Sequence, residues 1–161
     1  CPIGIIGLGK VGKIVANYLY SLGFEVFYYS KKPKKSKYNY CKTIKELILK
    51  VKIVTIHISL NDETKNLIDG KYLRLMKNKY LVNTSRGEIV DEDNLYSLLK
   101  KKYILGAALD VFKYEPNIKT SKKVRELNNV IFSCHSAAYD ISTLNKMTKE
   151  SFDHLKKCLK K

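Results

Sequence analysis

Three polar side chains in the second half of the chain have the chemical types that a reaction at a polarised oxygen requires. Arg86 is a planar and permanently charged cation, Glu115 is a carboxylate, and His135 can gain or lose a proton near neutral pH. An arginine can bind and polarise a carbonyl group, a histidine can protonate it, and a carboxylate can orient and tune that histidine. The three residues are therefore compatible with the reduction of a carbonyl group by hydride transfer.

A glycine-rich segment near the start of the chain predicts where a hydride-carrying nucleotide would bind. The segment Gly7-Leu8-Gly9-Lys10-Val11-Gly12 follows an apolar run and opens an amphipathic helix. In a GxGxxG turn the first glycine permits the bend, the second lets the backbone approach a pyrophosphate, and the third allows close helix–strand packing. The pyrophosphate then meets free N–H groups at the positive end of a helix dipole. This context predicts dinucleotide binding.

The residues that would contact the adenosine ribose favour one form of the nucleotide. About 20 positions after the glycine loop, NAD-binding folds usually carry Asp or Glu, whereas this sequence has Tyr29-Ser30-Lys31-Lys32. A hydroxyl group and two cations suit a 2′-phosphate, so the sequence predicts NADP rather than NAD. The alternative is that Lys31 to Lys37 form only a solvated loop in a lysine-rich protein.

Alternating strand and helix patterns predict the fold that positions these residues. Buried-strand patterns cover Ile3 to Gly7, Glu25 to Tyr29, Lys52 to Ile58, Lys79 to Asn83, Ile104 to Leu109 and Asn129 to Phe132. Helical patterns lie between them, and a closing helix from Ile141 to Lys160 is expected to turn Leu144, Met147, Leu155 and Leu159 inward. In the first helix Val11, Ile14, Val15, Tyr18, Leu19 and Leu22 form one apolar face. Residues 1–161 are therefore predicted to form a single α/β domain of Rossmann type, with a doubly wound parallel sheet.

Composition restricts the classes of protein to which the chain can belong. The 161 residues are 45% hydrophobic, which suits one domain with a buried core. No stretch approaches the ~18 uninterrupted apolar residues of a membrane span, and the first residues do not resemble a signal peptide. The four cysteines have neither CxxC nor zinc-like spacing, so we expect no metal site and a reducing, cytoplasmic setting.

The formal net charge of +16 raises the question of a polyanionic partner. The lysines are scattered along the chain among Tyr, Asn and Ile, and no recognisable nucleic-acid-binding module accompanies them. A lysine-coated exterior is the favoured interpretation, and we expect no specific nucleic-acid partner. A nucleic-acid binder remains an alternative, which a steep loss of affinity with salt would identify.

Several longer motifs resemble those of one enzyme family. These motifs are Asp62 to Ile68 (DETKNLI), Asn83 to Asp91 (NTSRGEIVD), Gly106 to Phe112 (GAALDVF), Glu115-Pro116 and His135. In this order, and over nearly the whole chain, they resemble the D-isomer-specific 2-hydroxyacid dehydrogenases. The resemblance implies hydride transfer between a nicotinamide cofactor and a small 2-hydroxy or 2-keto acid.

The resemblance also implies a role for each site residue. Arg86 would bind the substrate carboxylate and polarise the keto oxygen, His135 would act as the acid and base, and Glu115 would hold His135 by a hydrogen bond and favour its charged form. Gly7, Gly9, Lys10, Val11 and Gly12 would hold the pyrophosphate, and Asp110 would lie near the nicotinamide carboxamide. Ser30, Lys31, Thr84 and Ala137 complete the predicted cofactor site. His57, at a predicted strand end, is expected to pack near the cofactor rather than to act as a catalyst.

Two departures from the family pattern affect the expected activity. Cys134 stands where a proline commonly precedes the catalytic histidine, and Ser136 to Asp140 lack a glycine pair that many members carry. Family members also build a substrate-binding domain mostly from residues upstream of the glycine loop, and we expect these 161 residues to be a fragment without it. Nucleotide binding with little turnover is therefore expected. A homodimer is implied by the resemblance, and a nucleotide-sensing interaction module, as in co-repressor relatives, remains the alternative function.

Overall fold

The computed structural model describes residues 1–113, 115, 123, 126–136 and 140–159, with the side chains of 154, 157 and 159 outside that description. The strands are β1 Ile3–Ile6, β2 Val26–Tyr29, β3 Asn39–Cys41, β4 Ile53–Ile56, β5 Tyr80–Asn83, β6 Gly106–Leu109 and β7 Val130–Phe132. The α-helices are α1 Lys10–Ser21, α2 Ile44–Lys50, α3 Gly70–Arg74, α4 Glu92–Lys100 and α5 Ile141–Leu159. A single 3-10 turn, Gly87–Ile89, is also present among the described residues.

The strands form one sheet in the order β3-β2-β1-β4-β5-β6-β7, and all neighbouring strands are parallel. The order reverses between β1 and β4, which makes that pair the switch point of a doubly wound sheet. The predicted Rossmann-type fold is confirmed. The edge strand β3 was missed because Asn39–Cys41 has no apolar alternation, and it is held by parallel pairing to β2 and by the Tyr40 ring, 5.4 Å from the Tyr28 ring.

Two apolar layers cover opposite faces of the sheet. On one face, Leu47 and Ile48 of α2, with Leu73, Leu95 and Leu99 of α3 and α4, pack against the buried residues of the central strands. On the other face, a smaller cluster joins Ala16 of α1 to Ile5 and Tyr28 of β1 and β2. Because helices lie on both faces, the loops at the carboxyl edge of the sheet remain available for a site.

The first helix buries a different face from the one that its apolar periodicity indicates. Gly12 and Ala16 are buried and Val15 and Leu19 are half-buried, whereas Val11, Ile14, Tyr18 and Leu22 are each more than half exposed. Small residues face the sheet because they let the helix backbone approach it closely. The larger side chains therefore form an exposed apolar stripe, which we call the α1 stripe (Val11, Ile14, Tyr18 and Leu22).

The closing helix also departs from expectation. Leu144, Met147 and Leu155, predicted to point inward, are about half exposed and line a groove of about 450 Å³ with Phe152; the Leu159 side chain lies outside the described residues. The prediction was wrong because periodicity identifies an apolar face without identifying what covers it. In the described part of the chain, no helix has the length and apolar character needed to cross a membrane.

Candidate active site

The candidate site lies at the carboxyl ends of the strands, beside the switch point. A cleft of about 350 Å³ opens there between the loops that follow β1, β4 and β5. Its lining includes three of the predicted site residues, Val11, Thr84 and Arg86, together with the segment from His57 to Leu60. This is where doubly wound sheets bind their ligands.

The three glycines of the loop have different structural reasons for lacking a side chain. A Cβ atom on Gly12 would lie 2.0 Å from the carbonyl oxygen of Gly7. Gly7 has φ of +100°, and a Cβ atom there would lie 2.5 Å from the carbonyl oxygen of His57. At Gly9, by contrast, a Cβ atom would meet no described atom within 4 Å. The fold therefore requires Gly7 and Gly12, whereas Gly9 leaves open space above the loop.

That open space adjoins the beginning of α1. Gly9 is the N-cap residue and provides no capping side chain. The N–H groups in the first turn of a helix have no intrahelical acceptor, and Lys10 and Val11 are exposed there. The loop can thus offer backbone donors and a positive dipole end to a pyrophosphate group.

At the end of β2, the cation predicted to contact the ribose has a protein partner. Lys31 forms an exposed ion pair with Glu63, which raises the pKa of Lys31 and lowers that of Glu63. The Ser30 hydroxyl donates to the carbonyl oxygen of Lys32 at 2.6 Å. Lys34, which sequence reasoning did not single out, donates from Nζ to the carbonyl oxygen of Leu8 at 2.8 Å. A 2′-phosphate at Lys31 would therefore compete with the Glu63 carboxylate.

His57 follows β4 and is half-buried beside the glycine loop. Its Nε2 atom lies 2.9 Å from the Thr55 hydroxyl, and burial lowers the pKa of the ring. A histidine whose charged form is disfavoured by burial suits the predicted packing position beside a cofactor.

The loop that carries Arg86 is shaped by a buried amide. Asn83, at the end of β5, donates from its side chain to the carbonyl oxygen of Arg86 at 3.0 Å and accepts from the Ser85 N–H at 3.0 Å. The Ser85 hydroxyl in turn donates to the carbonyl oxygen of Ile56 at 2.7 Å. These bonds hold the loop against β4 and leave the Arg86 side chain exposed at the cleft.

Glu115 and His135, twenty residues apart, are in direct contact. His135 Nδ1 lies 2.6 Å from Glu115 Oε2, and the other oxygen of Glu115 accepts from the Phe112 N–H at 2.6 Å. Both side chains are more than one-third exposed, so a substrate could reach the pair. With Nδ1 engaged by Glu115, Nε2 is the imidazole nitrogen left for a substrate.

Asp110 connects the ends of β6 and β7. Its buried carboxylate accepts from the Ser133 hydroxyl and, at 3.4 Å, from the Ser136 N–H, while its carbonyl oxygen accepts from the His135 N–H at 2.9 Å. His135 itself has φ of +51°. Asp110 therefore fixes the turn that presents His135, a contribution that sequence reasoning did not assign to it.

Glu92, the first residue of α4, lies buried beneath the segment that leads to Glu115. One of its oxygens accepts from the Lys113 N–H, and within the described residues its Oε2 atom has no hydrogen-bond partner. Burial raises the pKa of Glu92 to about 7; the Lys113 N–H and charge oppose the shift, and Asp93 and Glu88 reinforce it. This environment could not be predicted from the sequence, because an acidic residue at a helix start is also favoured there when it is exposed.

The predicted residues thus fall into three groups. Val11, Thr84 and Arg86 line the cleft, and Gly7 and Gly12 lie next to His57, another lining residue. Glu115 contacts His135, and Asp110 supports the His135 turn. Ser30 and Lys31 lie at the end of β2, engaged by other protein groups. Ala137, Ala138, Tyr139 and Pro116 lie outside the described residues.

Comparison with known proteins identifies the family. Residues 1–137 match the family described as "D-isomer specific 2-hydroxyacid dehydrogenase, NAD binding domain". The chain belongs to this family. The sequence-based resemblance is therefore confirmed, and the all-parallel sheet agrees with it.

Individual members are similar over most of this chain. A glyoxylate reductase of Korarchaeum cryptofilum is 34% identical over 159 residues, covering 95% of this chain and 47% of that protein. The crystal structure of an NADPH-dependent glyoxylate/hydroxypyruvate reductase from Sinorhizobium meliloti, in complex with NADP and malonate, has a TM-score of 0.91 and 28% identity and covers 96% of this chain and 49% of that one. A D-lactate dehydrogenase from Aquifex aeolicus, complexed with NAD and lactic acid, has a TM-score of 0.89 at 28% identity and covers 99% and 53% of the two chains. The chain spans about half the length of the curated relatives it matches.

The raised pKa of Glu92 predicts a pH dependence of stability. The folded protein holds this proton up to a pH of about 7, whereas the unfolded chain releases it near 4.5. The stabilisation is complete below 4.5 and declines as the pH rises through 7, by up to about 3 kcal/mol. We expect Glu92→Gln to remove this decline, as measured by urea unfolding at pH 5 and pH 8. Asp93→Asn, an exposed neighbour in the same turn, is the control and should keep most of the decline, because burial is the main cause of the shift and the Asp93 charge is a smaller one. An unchanged decline in Glu92→Gln would contradict the assignment.

Proposed function

We propose that this domain binds a nicotinamide dinucleotide and supplies the acid–base pair of a D-2-hydroxyacid dehydrogenase. The observation that carries the proposal is the hydrogen bond between Glu115 and His135, at the sheet edge that also holds the glycine loop and Arg86. Neither an exposed histidine nor an exposed glutamate needs such a partner for folding. Family membership supports the assignment, and the activity of the whole protein remains part of the proposal.

The pyrophosphate end of the nucleotide would lie over Gly9, where there is open space and the α1 amides begin. The bound cofactor would supply or accept the hydride. Asp110 and Thr84 would lie towards its nicotinamide end, beside the turn of His135.

In the reduction of a 2-keto acid, Arg86 would bind the carboxylate and polarise the keto oxygen through its planar donors. His135 would hold a proton on Nε2 and donate it to that oxygen, because Glu115 occupies Nδ1. Glu115 would keep the ring oriented through its contact with Nδ1. In the reverse direction Nε2 would accept the proton from the 2-hydroxyl group.

The substrate class is a small acid with a keto or hydroxyl group beside its carboxylate, such as glyoxylate, hydroxypyruvate or lactate. The support is that Arg86 offers one exposed cation next to a cleft of about 350 Å³, and that similar structures contain malonate or lactic acid. The choice among such acids depends on contacts beyond these residues.

For the cofactor we propose a preference for NADP. The support is that Ser30, Lys31 and Lys32 follow β2 without an acid among them. Lys31 is an exposed cation at the end of that strand, and a 2′-phosphate would have to displace the Glu63 carboxylate from it. Similar structures contain either nucleotide, so the preference depends on this chain's own residues.

We also propose a homodimer and a cytoplasmic location. Exposed apolar side chains in a row are unusual on a monomer's surface, and the α1 stripe provides such a row. The four cysteines are free, as a reducing compartment would keep them. A nucleotide-sensing module is the less favoured function, because sensing alone does not require the Glu115–His135 contact.

The first test separates nucleotide binding from turnover. We expect the 161 residues to bind NADPH or NADH, measured by cofactor fluorescence, and to reduce glyoxylate or hydroxypyruvate only slowly. Gly9→Val should weaken binding about tenfold or more, equivalent to about 1.4 kcal/mol, because its side chain fills the space above the loop without clashing in the fold. Ser21→Val, at the other end of α1, is the control. Unaltered binding by Gly9→Val, or rapid turnover that survives His135→Gln, would refute the proposal.

The cofactor preference gives a second test. We expect the dissociation constant for NADPH to be lower than that for NADH. Lys31→Ala should reduce the ratio of the two dissociation constants by up to about tenfold, because it removes the cation that would bind the 2′-phosphate. Lys50→Ala is the matched control, because Lys50 forms a comparable surface ion pair with Glu46 away from the cleft. Tighter binding of NADH by the unaltered chain would overturn the preference.

The dimer gives a third test, by light scattering after size-exclusion chromatography. A charge placed in the centre of the α1 stripe should disfavour association, so Ile14→Asp is expected to elute as a monomer where the unaltered chain elutes as a dimer. Lys13→Gln makes the same change in net charge on another side of the helix and should leave the dimer intact. A monomeric unaltered chain, or a dimeric Ile14→Asp, would contradict the assignment.

A further inference from the structure

We propose that Glu92 is a positioning residue for the Glu115–His135 pair. It contacts neither substrate nor cofactor in this scheme, and it acts through the backbone of the segment that carries Glu115. The inference deepens the proposed function, since it assumes that the pair is the acid–base site.

The connection runs through three consecutive hydrogen bonds. Glu92 accepts from the Lys113 N–H. The neighbouring Phe112 N–H donates to Glu115 Oε1 at 2.6 Å, and Glu115 Oε2 lies 2.6 Å from His135 Nδ1. Adjacent amides of one short segment are thus bound by two carboxyl groups, one buried and one at the site. Fixing the first amide restricts where the second can present Glu115.

The same segment is restrained from the side of the Arg86 loop. A Cβ atom on Gly87 would lie 2.0 Å from the carbonyl carbon of Phe112, so the two backbones are in close contact. Val111, just before it, is buried. The backbone at 112 and 113 is therefore held between Gly87 and Glu92, and the Arg86 loop and the Glu115 segment share one support.

Helix stability does not explain a buried carboxyl group at this position. Asp91 already caps α4 by accepting from the Asn94 N–H at 3.1 Å, and Asp93 places an exposed acid in the same first turn. Glu92 is 93% buried and its Oε2 atom has no partner within the described residues, an arrangement that costs free energy. An apolar side chain would fill the site at lower cost. What it could not do is accept the Lys113 N–H.

The test uses the imidazole nitrogen spectrum of the 161-residue chain, which contains three histidines. At a pH where the rings are neutral, acceptance by Glu115 selects the Nδ1–H tautomer of His135, whereas a free histidine favours Nε2–H. The His135 signals are assigned by their loss in His135→Gln, and Glu115→Ala defines the spectrum without the contact. Circular dichroism verifies folding in each variant.

The decisive variant is Glu92→Met, which keeps the volume and removes the acceptor. We expect it to remain folded and to lose the Nδ1–H majority at His135, moving towards the Glu115→Ala spectrum. Glu92→Gln retains an acceptor oxygen and should keep the unaltered spectrum, as should the neighbouring control Asp93→Asn. Glu92→Ala provides a second acceptor-free variant should Glu92→Met fail to fold.

An unaltered His135 spectrum in folded Glu92→Met would overturn the inference and assign Glu92 a purely structural role. Equal loss in Glu92→Gln and Glu92→Met would also overturn it, because the acceptor oxygen would then be irrelevant. The readout requires no nucleotide and no turnover. A chain that bound no cofactor would therefore refute the proposed function while leaving this measurement interpretable.

Discussion

The parallel pairing of β1 with β4 is the constraint on which the rest of the site depends. The two strands run in register from Ile3 opposite Ile53 to Ile6 opposite Ile56, and the ladder continues with the His57 N–H donating to the carbonyl oxygen of Ile6 at 2.8 Å. The chain then leaves β1 towards α1 on one face and leaves β4 towards α3 on the other. A crevice opens between the departing loops because they diverge. Gly7 is required at this point because its backbone meets that of His57 in the loop after β4, and Gly12 is required because the start of α1 packs against the Gly7 carbonyl group.

The residues proposed as the acid–base pair are positioned by the same ladder of hydrogen bonds, which continues beyond the strands. The Asp110 N–H donates to the carbonyl oxygen of Asn83, and the His135 N–H donates to that of Asp110. These bonds continue the hydrogen bonding between β5, β6 and β7 beyond the ends of β6 and β7, and they fix the backbone of the turns that follow. A histidine in a mobile surface loop would lose conformational freedom on meeting its substrate. The backbone of His135 is already fixed by its hydrogen bond to Asp110, so only the imidazole side chain needs to be oriented by Glu115.

The sequence predicted the order of elements well because alternating βα units and their motifs are local signals. The glycine loop, the turn after Asn83 and the positions of Glu115 and His135 could all be placed by strand ends. The sequence could not show which group packs against each apolar helix face. The apolar faces of α1 and α5 were recognised as apolar, but Ile14 and Met147 are exposed. Periodicity measures the separation of polar and apolar residues on one helix. It carries no information on whether the covering group belongs to the same sheet, another segment or another chain.

Long-range polar contacts were missed for a related reason. Glu63 reaches Lys31, and Glu92 reaches the backbone of Lys113, across 32 and 21 residues respectively. Neither contact can be predicted from the neighbouring sequence, because an isolated glutamate is most often a solvated side chain. Only the fold determines which of the acids in this lysine-rich chain is buried or paired.

The surplus of cations has a consequence for function that does not depend on any single contact. A dinucleotide and a keto acid are both anions, and a net charge of +16 attracts both towards the surface at low ionic strength. Such attraction is screened beyond about 10 Å at 0.1 M salt, and it does not distinguish one anion from another. In the proposed function, discrimination between anions would therefore arise where the backbone is fixed, at Gly9, at Arg86 and at the pair of Glu115 and His135. The scattered lysines would raise the frequency of encounter with such anions, and the proposed site at the sheet edge would determine which encounters lead to a reaction.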